Sequence, residues 1–480
     1  MRLVFRSTEM IDVLVIGGGP AGVVAALRAA AEGAQTTLVT HDKFGGMAAN
    51  DGPVPVRTLA HAARLIRDAH QLSRYGIIAG EPALDFPRLL ARVREVVGEV
   101  AANSTFRSQI DSLGVSVHEM AGSARFLDRH TVETASGLRL NAAKIIICTG
   151  GTSRQLDVPG FQFTATHSDA WSLTSVPASI LVLGAGATGV QVASVFNAFG
   201  SKVQLFQAGP RILPTEDEDV SVAVSEALSA SGVLVRKNFG TVESFEKTAT
   251  GVRMRFSSDG RRESAEASLV VSAIGWIAKT ADLRLENASV ETDQRGFIRV
   301  DEFLRTSSPD IFAAGDVTGK MMLVPQAIQQ GFVAATNAVH GPTMRDVDQV
   351  APIGSFTEPE YAQVGLTEAK ARAAHYVATA VLSFDSTTRT IIDGRTCGFC
   401  KLIVDRQTRL ILGCHVVGER AVDITQVAAI AIAAGMHVDE LAQVPLSFPT
   451  YAGALGRVAA KVTRDLNLTL KWQGSRADVI

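Results

Sequence analysis

Cysteine is scarce in this sequence, and neither sign of charge is in excess. Four cysteines in 480 residues are too few for a disulfide scaffold, so the composition predicts a reducing, cytoplasmic location. The formal net charge of -2 gives no overall basic field that would attract nucleic acid. No apolar run reaches the roughly 18 residues that a membrane span needs, which predicts no stable membrane insertion. The first apolar stretch, Ile11–Ile16, breaks into glycine too soon to be a signal peptide.

The histidines and cysteines show no pattern typical of a metal site. The ten histidines are scattered, and no pair of them stands at ligand spacing near a carboxylate or a thiol. Cys397 and Cys400 form a C-x-x-C within Thr396–Val404, which the sequence predicts to be a strand. Residues three apart on a strand point to opposite faces, so we interpret these cysteines as packing residues and not as a redox or zinc pair.

The sequence does contain a strand–turn–helix–strand pattern, and this pattern occurs twice. Each copy has a short apolar run that ends in glycines, then a helix rich in small apolar residues, then a second apolar run. The first copy covers Asp12–Ile16, Pro20–Ala31 and Thr36–Val39, and the second covers Ser179–Leu183, Gly189–Phe199 and Lys202–Phe206. Two such units about 170 residues apart predict two dinucleotide-binding domains that arose by duplication.

The turn in each copy satisfies the pattern G-x-G-x-x-G. The first glycine permits a tight turn, the second lets the backbone approach a pyrophosphate at the helix N-terminus, and the third lets helix and strand pack closely. These glycines are Gly17, Gly19 and Gly22 in the first copy, and Gly184, Gly186 and Gly189 in the second. One such motif is weak evidence, but two in the same context predict two bound dinucleotides.

The acid that usually ends the second strand, where it bonds the adenosine ribose, is absent from both copies. The first copy has Thr40, which can still make one hydrogen bond, with Asp42 two residues further on. The second copy has Gln207, which removes a carboxylate that would repel a 2′-phosphate, and Arg211 follows four residues later. The pattern therefore favours NADPH slightly over NADH, although Arg211 can equally be interpreted as a solvated loop residue.

Outside the two copies the sequence predicts further helices and a separate C-terminal domain. Val56–Leu72 and Phe86–Leu113 are predicted to be helical. From about Pro352 short strands and helices alternate again, which is typical of an independent α/β layer. The predicted fold class is therefore α/β, with two Rossmann-like dinucleotide-binding domains and a C-terminal α/β domain.

Further motifs make the chain resemble the pyridine nucleotide–disulfide oxidoreductase family, which includes dihydrolipoamide dehydrogenase, glutathione reductase and mercuric reductase. The motifs that carry the resemblance are Gly45-Gly46, Thr149-Gly150, Ala273-Ile274-Gly275, Ile311 to Asp316, Phe356 to Glu360 and Phe448-Pro449-Thr450. The resemblance covers nearly the whole chain. It implies an FAD domain (1–155 and 281–345), an NAD(P) domain (156–280) and a C-terminal dimerisation domain (346–480) that forms a homodimer.

The same resemblance implies which residues bind the two dinucleotides. For FAD they are Gly17, Gly19, Gly22, Thr40, Gly45, Gly46, Met47, Arg57, Ala124, Thr149, Gly150, Asp316, Met322, Leu323, Val324, Pro325 and Ala327. For NAD(P)H they are Gly184, Gly186, Gly189, Gln207, Arg211 and Gly275. Asp316 is expected on the ribityl chain, and the positive end of the helix that begins near Gln326 is expected to face the flavin pyrimidine ring.

The sequence departs from the family at the residues of the disulfide relay. The family's loop reads G-G-x-C-x-x-x-x-C, but here Ala48 and Pro53 occupy the cysteine positions and cannot supply the sulfur that thiolate chemistry needs. The family's catalytic His before Pro-Thr, and the Glu five residues later, are Phe448 and Gly453 in this chain. We therefore predict that electrons do not pass through a dithiol.

The Lys–Glu ion pair that the family holds beside the flavin is replaced as well. Arg57 stands for the Lys and Gln191 for the Glu, so a positive charge with a hydrogen-bonding partner remains near the isoalloxazine. Phe448 and Tyr451, contributed by the partner subunit, are expected to line an apolar pocket on the former disulfide side. We assign Arg57, Gln191, Phe448 and Tyr451 to the catalytic site.

Such a pocket suits a flat, moderately apolar electron acceptor, and the stretch from Phe448 to Gly453 looks like the quinone reductase branch of the family. The hypothesis is hydride transfer from NAD(P)H to FAD, followed by reduction of a quinone-like or other small acceptor. Two alternatives remain open. One is a soluble transhydrogenase or NAD(P)H oxidase, and the other is a flavin-binding protein with little turnover.

Overall fold

The computed structural model describes residues 10–78, 80–347 and 350–470. The predicted FAD and dimerisation domains extend beyond these ranges, and those parts lie outside the described residues. The described strands are β1 (Ile11–Ile16), β2 (Thr36–Val39), β3 (Ser116–His118), β4 (Ala124–Phe126), β5 (Thr131–Thr134), β6 (Arg139–Ile147), β7 (Gly151–Ser153), β8 (Ser179–Leu183), β9 (Lys202–Gln207), β10 (Leu234–Lys237), β11 (Thr241–Lys247), β12 (Val252–Ser258), β13 (Arg261–Ala267), β14 (Leu269–Ser272), β15 (Trp276–Ala278), β16 (Ile311–Ala313), β17 (Ile353–Ser355), β18 (Tyr361–Gly365), β19 (Val377–Ser383), β20 (Phe399–Asp405) and β21 (Ile411–Val417). The described helices are α1 (Pro20–Ala31), α2 (Gly46–Asn50), α3 (Pro53–Ala69), α4 (Phe86–Ala102), α5 (Thr105–Ser112), α6 (His167–Ala170), α7 (Ala187–Ala198), α8 (Glu218–Ala230), α9 (Val324–His340), α10 (Glu368–Ala374), α11 (Thr388–Ile392), α12 (Ala421–Ala433), α13 (Val438–Leu441) and α14 (Gly453–Asp465).

The chain forms two compact units, each assembled from segments that are distant in sequence. The first unit comprises Met1–Leu59, Pro87–Arg154 and Gly275–Gln349. The second comprises Ala60–Phe86, Gln155–Ile274 and Val350–Ile480. The finer division into an FAD, an NAD(P) and a dimerisation domain stays a prediction.

The first unit is built on a seven-stranded sheet in the order β3-β2-β1-β6-β5-β4, with β16 added beside β6. Strand β1 runs parallel to β2 and β6, and Ile16 at its end is in register with Val39 and Ile147. Strand β1 is buried on both faces, as expected for a continuous apolar run in a parallel sheet covered on two sides. The turn that follows β1 therefore lies at the carboxyl edge of the sheet.

Helices α1 and α9 of the first unit pass each other at close range. A Cβ added at Gly331 of α9 would lie 2.1 Å from the carbonyl oxygen of Ala21, so only glycine allows this approach. Further along, Arg28 Nε donates to Thr336 Oγ1 at 3.0 Å. Pro20 occupies the first turn of α1, where no intrahelical N–H bond is needed. These contacts fix the N-terminus of α1 against the edge of the sheet.

The second unit contains three sheets. A four-stranded parallel sheet has the order β10-β9-β8-β14, a three-stranded antiparallel sheet the order β11-β12-β13, and a five-stranded antiparallel sheet the order β17-β18-β21-β20-β19. Phe206, Phe239 and Phe256 pack edge to face, with ring centroids 5.3 to 5.7 Å apart, between the first two of these sheets. Helix α7 packs on β8 and β9, and α8 packs on β10.

The two predicted strand–turn–helix–strand copies are confirmed, with boundaries that differ by at most two residues. The stretch Phe86–Leu113 is helical as predicted but interrupted, because α4 ends at Ala102 and α5 begins at Thr105. The break comes at Ser104, which has an extended backbone; just before it, both the backbone N–H and the side-chain amide of Asn103 donate to the carbonyl oxygen of Glu99.

The four cysteines are unpaired in the structure. The strand predicted over Thr396–Val404 begins only at Phe399, so exposed Cys397 precedes β20 whereas Cys400 is buried within it. No group of three or more His, Cys, Asp or Glu residues placed to hold a metal ion occurs in the described part of the chain. Within the described ranges, no helix combines the length and the apolarity that crossing a membrane requires.

Candidate cofactor and nucleotide sites

The glycine turn after β1 has the geometry of a pyrophosphate cradle. Gly17 has φ +114°, and a Cβ there would lie 2.2 Å from the carbonyl oxygen of Cys148. A Cβ at Gly22 would lie 1.8 Å from the carbonyl oxygen of Gly17, so packing requires glycine at both positions. At Gly19, by contrast, a Cβ would meet nothing within 4 Å. The turn therefore leaves space at the N-terminus of α1, where backbone N–H groups favour an anionic phosphate.

A second glycine pair lies directly beside this turn. Gly45 N donates to Gly18 O at 2.9 Å, and a Cβ at Gly46 would lie 2.7 Å from Gly19 Cα. The side-chain amide of Asn50 donates to Phe44 O at 3.0 Å and to Gly46 O at 2.9 Å, which closes the first turn of α2. Met47 follows in the same helix. The structure thus brings the predicted residues Gly45, Gly46 and Met47 to the first glycine turn.

Thr40, at the end of β2, is buried under this turn. Its side chain is 2% exposed, and its methyl group packs below Gly18, where a Cβ would approach it to 2.5 Å. Its hydroxyl donates to the carbonyl oxygen of Asp42. Because that proton is already used, only a hydroxyl lone pair remains for a ribose. The ribose contact by Thr40 stays a prediction.

The side chains of Asp316 and Thr149 have polar atoms that make no hydrogen bond to the described residues. Thr149 Oγ1 is buried and makes no hydrogen bond to the described residues. The carboxylate of Asp316 likewise receives no hydrogen bond from the described residues, and burial raises its pKa. A Cβ at Gly151 would lie 3.8 Å from Asp316 Cβ, so the turn after β6 and the turn after β16 meet. Buried polar groups are normally bonded, and a chain of ribityl hydroxyls would satisfy both residues. The site therefore fits FAD.

The other predicted FAD residues lie elsewhere in the first unit. Helix α9 begins at Val324, after Met322 and the N-cap residue Leu323, and has Pro325 in its first turn. Gln330 of this helix accepts a hydrogen bond from Gly315 N at 2.8 Å, which ties α9 to the turn that carries Asp316. Three more predicted residues are Ala327, which is buried in α9, Ala124, which is buried in β4, and Arg57, which is half-buried in α3. Gly150 has φ +78°.

The glycine turn after β8 in the second unit repeats the geometry of the first. A Cβ at Gly184 would lie 2.4 Å from Ala273 O, and one at Gly189 would lie 1.8 Å from Gly184 O. Nothing lies within 4 Å of the Cβ position of Gly186, the N-cap of α7. This turn also fits a pyrophosphate. Gly275, the last of the predicted nucleotide residues, is exposed with φ +110° in the first unit.

Gln207 and Arg211 are both tied to the loop that follows β9. Gln207 Oε1 accepts a hydrogen bond from Ala185 N at 3.0 Å, so this side chain supports the glycine turn. Arg211 Nη2 donates to Pro214 O at 2.9 Å within its own loop. Neither residue places a carboxylate at the end of β9. The absence of that negative charge agrees with the interpretation that a 2′-phosphate is tolerated here.

Gln191 lies in α7 and bonds to the C-terminal part of the second unit. Its Nε2 donates to Phe356 O at 3.2 Å, and its Oε1 accepts from Ser355 Oγ at 3.1 Å. Both ends of the carboxamide are therefore occupied by the segment at the end of β17. The predicted pairing of Gln191 with Arg57 beside the flavin stays a prediction.

Phe448 and Tyr451 have different surroundings. The ring of Phe448 is 82% exposed. Tyr451 packs against the core of the five-stranded sheet, and its hydroxyl donates to Asp393 Oδ2 at 2.8 Å. Burial, together with this carboxylate, raises the pKa of Tyr451. Arg389 also bonds to Asp393, at 2.8 Å, and its guanidinium lies 5.7 Å from the centre of the Tyr451 ring.

Sequence reasoning missed a buried ion cluster behind the loop that carries Arg211. Lys401 Nζ lies 2.8 Å from Asp217 Oδ1, 2.6 Å from Asp219 Oδ2 and 2.6 Å from Glu368 Oε2. Burial alone lowers a lysine pKa, but the hydrogen bonds to these carboxylates outweigh it and raise the pKa of Lys401. No local motif could reveal this cluster, because its members come from three distant segments.

Glu216 lies next to this cluster, and it makes the stability of the protein depend on pH. Its side chain is 4% exposed, Oε2 has no hydrogen-bond partner among the described residues, and burial raises its pKa to about 7. The folded chain therefore keeps a proton that the unfolded chain has lost between about pH 4.5 and pH 7. The free energy of unfolding should consequently fall as the pH rises through that window.

We expect Glu216→Gln to reduce this pH dependence and to raise the free energy of unfolding above pH 7 by up to about 3 kcal/mol. The measurement is the thermal denaturation midpoint of the holoprotein from pH 5 to pH 8. Glu226→Gln, at an exposed position of α8, is the matched control and should leave the curve unchanged. Parallel curves for the Glu216→Gln variant and the unmodified protein would contradict the prediction.

Comparison with known proteins agrees with this geometry. Residues 11–331 match the family of pyridine nucleotide-disulphide oxidoreductases, and residues 351–459 match the dimerisation domain of that family. The chain belongs to the pyridine nucleotide-disulphide oxidoreductase family. Members of this family are FAD-dependent oxidoreductases with NAD(P)H as the reductant, and this chain is therefore an enzyme of that class.

Individual relatives cover the chain almost completely. A dihydrolipoyl dehydrogenase 2 of Haloarcula marismortui is 33% identical over 94% of this chain and 97% of its own length. A mercuric reductase of Streptomyces lividans is 33% identical over 95% of this chain and 97% of its own length. Among solved structures, the HOCl-induced flavoprotein disulfide reductase RclA of Escherichia coli matches with a TM-score of 0.82 and 26% identity, over 94% of this chain and 99% of that chain.

Proposed function

We propose that this protein passes reducing equivalents from NADPH through FAD directly to a quinone-like acceptor, without a redox disulfide. The observation that supports this proposal is the absence of cysteine from the loop that carries the redox disulfide in the family pattern. The loop of α2 and the start of α3 has Ala48 and Pro53 where the family pattern has cysteines. No thiolate can form at either position, and thiolate is the species that attacks a disulfide.

The surroundings of Cys148 support the same conclusion, because it is the single cysteine that the sequence places in the first unit. Cys148 directly follows β6 and lies behind the first glycine turn, where a Cβ added at Gly22 would lie 3.3 Å from the Cβ of Cys148. Burial raises the pKa of the Cys148 thiol to about 12. A thiol with this pKa stays protonated at neutral pH and is inert in thiol–disulfide exchange.

The residues of the first unit would hold FAD in a fixed orientation. The N-terminus of α1 would bind the pyrophosphate, and Asp316 and Thr149 would bond the ribityl hydroxyls. The N-terminus of α9 would direct its positive end, and Arg57 a full positive charge, toward the flavin ring system. When bound, FAD supplies the two-electron redox chemistry between NADPH and the acceptor.

The exposed ring of Phe448 supports an apolar acceptor. A second copy of the chain, expected from the matched dimerisation domain, would cover this ring and add it to the acceptor pocket. Neither Phe448 nor Gly453 carries a titratable group, so neither can replace the family's catalytic His or Glu in protonating a leaving thiolate. A quinone that takes a hydride releases no thiolate, and the hydroquinone anion that forms can take its proton from solvent water, so the reaction does not require the family's His–Glu pair at these positions.

The test is an anaerobic titration of the purified holoprotein with NADPH and with NADH, followed by a panel of quinones. We expect one equivalent of NADPH to bleach the flavin completely, because the two electrons have no other site to occupy. We also expect reoxidation by quinones to exceed that by oxygen or by a second nicotinamide nucleotide. Oxygen is the control for oxidase activity, and the second nicotinamide nucleotide is the control for transhydrogenase activity.

Three results would contradict the proposal. A capacity of four electrons with a long-wavelength charge-transfer band would show a working disulfide. Faster turnover with oxygen or with an oxidised nicotinamide nucleotide would assign an oxidase or a transhydrogenase. A flavin that NADPH does not bleach would indicate a binding protein without turnover.

A further inference from the structure

The carboxyl edge of the parallel sheet in the second unit places a lysine beside the end of β9. Strand β10 runs parallel to β9, and Lys237 is in register with Gln207 at the last pair of residues. In sheets of this order, the adenosine half of a dinucleotide lies at the end of the second strand, past the glycine turn. Lys237 therefore lies next to the residue that usually contacts the adenosine ribose.

The face on which Lys237 lies follows from its neighbour Arg236. The guanidinium of Arg236 lies 5.5 Å from the centre of the Phe206 ring, and its Nη1 lies 3.5 Å from Glu263 Oε2 of β13. Arg236 therefore points to the face covered by the three-stranded sheet. Successive side chains of a strand point to opposite faces, so Lys237 belongs to the other face, on which α7 and α8 pack. The N-terminus of α7, with its open position at Gly186, lies on that same face.

The charges at this edge favour a phosphate. Gln207 is uncharged, and its Oε1 already accepts from Ala185 N. One nitrogen of Arg211 is held by Pro214 O. The exposed ammonium group of Lys237, by contrast, has no hydrogen bond or ion pair with the described residues. A cation beside an uncharged strand end attracts a doubly charged phosphate and makes only a weaker hydrogen bond to the neutral ribose hydroxyl that replaces it in NADH.

We propose that Lys237 recognises the 2′-phosphate of NADPH and is the main residue that separates NADPH from NADH. This inference rests on the NADPH preference proposed above, and it is independent of the identity of the electron acceptor. Lys237 acts as a point charge at the end of β10, while Gln207 holds the glycine turn. Removal of the lysine charge should therefore weaken the binding of nucleotides that carry a 2′-phosphate and leave the binding of those without it unchanged.

The test measures nucleotide binding to the FAD-loaded protein by calorimetry, with 2′,5′-ADP and 5′-ADP as the two probes. We expect Lys237→Met to weaken the binding of 2′,5′-ADP about tenfold and to leave the binding of 5′-ADP unchanged. Lys237→Glu should weaken 2′,5′-ADP further through repulsion. Lys202→Met is the matched control, because Lys202 is an exposed lysine at the opposite, amino end of β9.

Steady-state kinetics give a second readout. The KM for NADPH should rise in the Lys237→Met variant while kcat and the KM for NADH stay constant. A wild-type protein that binds the two probes equally would overturn the NADPH preference and with it the role of Lys237. A clear preference for 2′,5′-ADP that survives in Lys237→Met would overturn the role of Lys237 alone and leave the proposed function intact.

Discussion

A Gly186→Val variant should be a yellow protein that NADPH reduces only at much higher concentrations, whereas Gly19→Val should be purified without flavin. Both glycines lie at the N-cap of the helix that follows a glycine turn, with φ -77° in each case. A valine is sterically allowed at this φ, and a Cβ at either position meets no atom within 4 Å. Both variants should therefore fold.

The added side chain would occupy the space that the turn leaves for a pyrophosphate. We expect the KM for NADPH to rise at least ~100-fold in Gly186→Val, which corresponds to about 2.8 kcal/mol of binding free energy. The flavin content of Gly186→Val should stay at the wild-type level, because the substitution lies in the second unit. In Gly19→Val the absorbance ratio of flavin to protein should approach zero.

Gly98→Val is the matched control for these two variants. Gly98 is exposed in α4, and a Cβ there also meets no atom within 4 Å. This variant should bind flavin and react with NADPH like the unmodified protein. Full flavin content in Gly19→Val, or an unchanged KM for NADPH in Gly186→Val, would show that these turns do not bind the two pyrophosphates.

Lys401→Met should lower the free energy of unfolding by about 3–5 kcal/mol, a large share of the stability of an ordinary domain. The lysine side chain is 3% exposed and Asp217 is 2% exposed, so the substitution leaves a buried carboxylate without its cation. Asp217 also accepts from Glu368 N at 2.8 Å, which joins the start of α10 to the start of α8. The thermal denaturation midpoint of the holoprotein measures the effect.

Arg255→Met provides the control for Lys401→Met. Arg255 pairs with Glu246 at 2.6 Å, but both side chains are more than 40% exposed, and such pairs contribute about 1 kcal/mol or less. Adding Asp217→Asn to Lys401→Met should recover part of the lost stability, because it removes the uncompensated charge. Equal midpoints for Lys401→Met and Arg255→Met would refute the prediction.

The elements that follow from local patterns could be predicted from the sequence. Strand β1, helix α1 and strand β2 were predicted to within one residue, because a continuous apolar run, a glycine turn and an alanine-rich helix each leave a local signal. Strand β13 was not predicted, since its residues Arg261–Ala267 are mostly charged and only part of one face is buried. Helix α14, Gly453–Asp465, was not predicted either.

The residues of the candidate site likewise include some that the sequence could predict and some that it could not. The glycines of both turns could be assigned from spacing alone, because each glycine has a steric reason that the motif encodes. The bond from Ala185 N to Gln207 joins residues 22 positions apart, and the bonds from Lys401 to Asp217 and Asp219 span 184 and 182 positions. Contacts of this kind depend on how sheets and helices pack, and no periodicity in the sequence reports them.

The near-identity of the two glycine turns has a consequence for inhibition. In each turn, a Cβ added at the final glycine would lie 1.8 Å from the carbonyl oxygen of the first glycine. The ψ angles of the two N-cap glycines are also similar, -177° and -174°. The adenosine diphosphate portion that FAD and NAD(P)H share would therefore meet a similar backbone at both turns. Free ADP should compete for either turn during reconstitution of the apoprotein, so we expect selection of the correct dinucleotide to depend on the parts that FAD and NAD(P)H do not share.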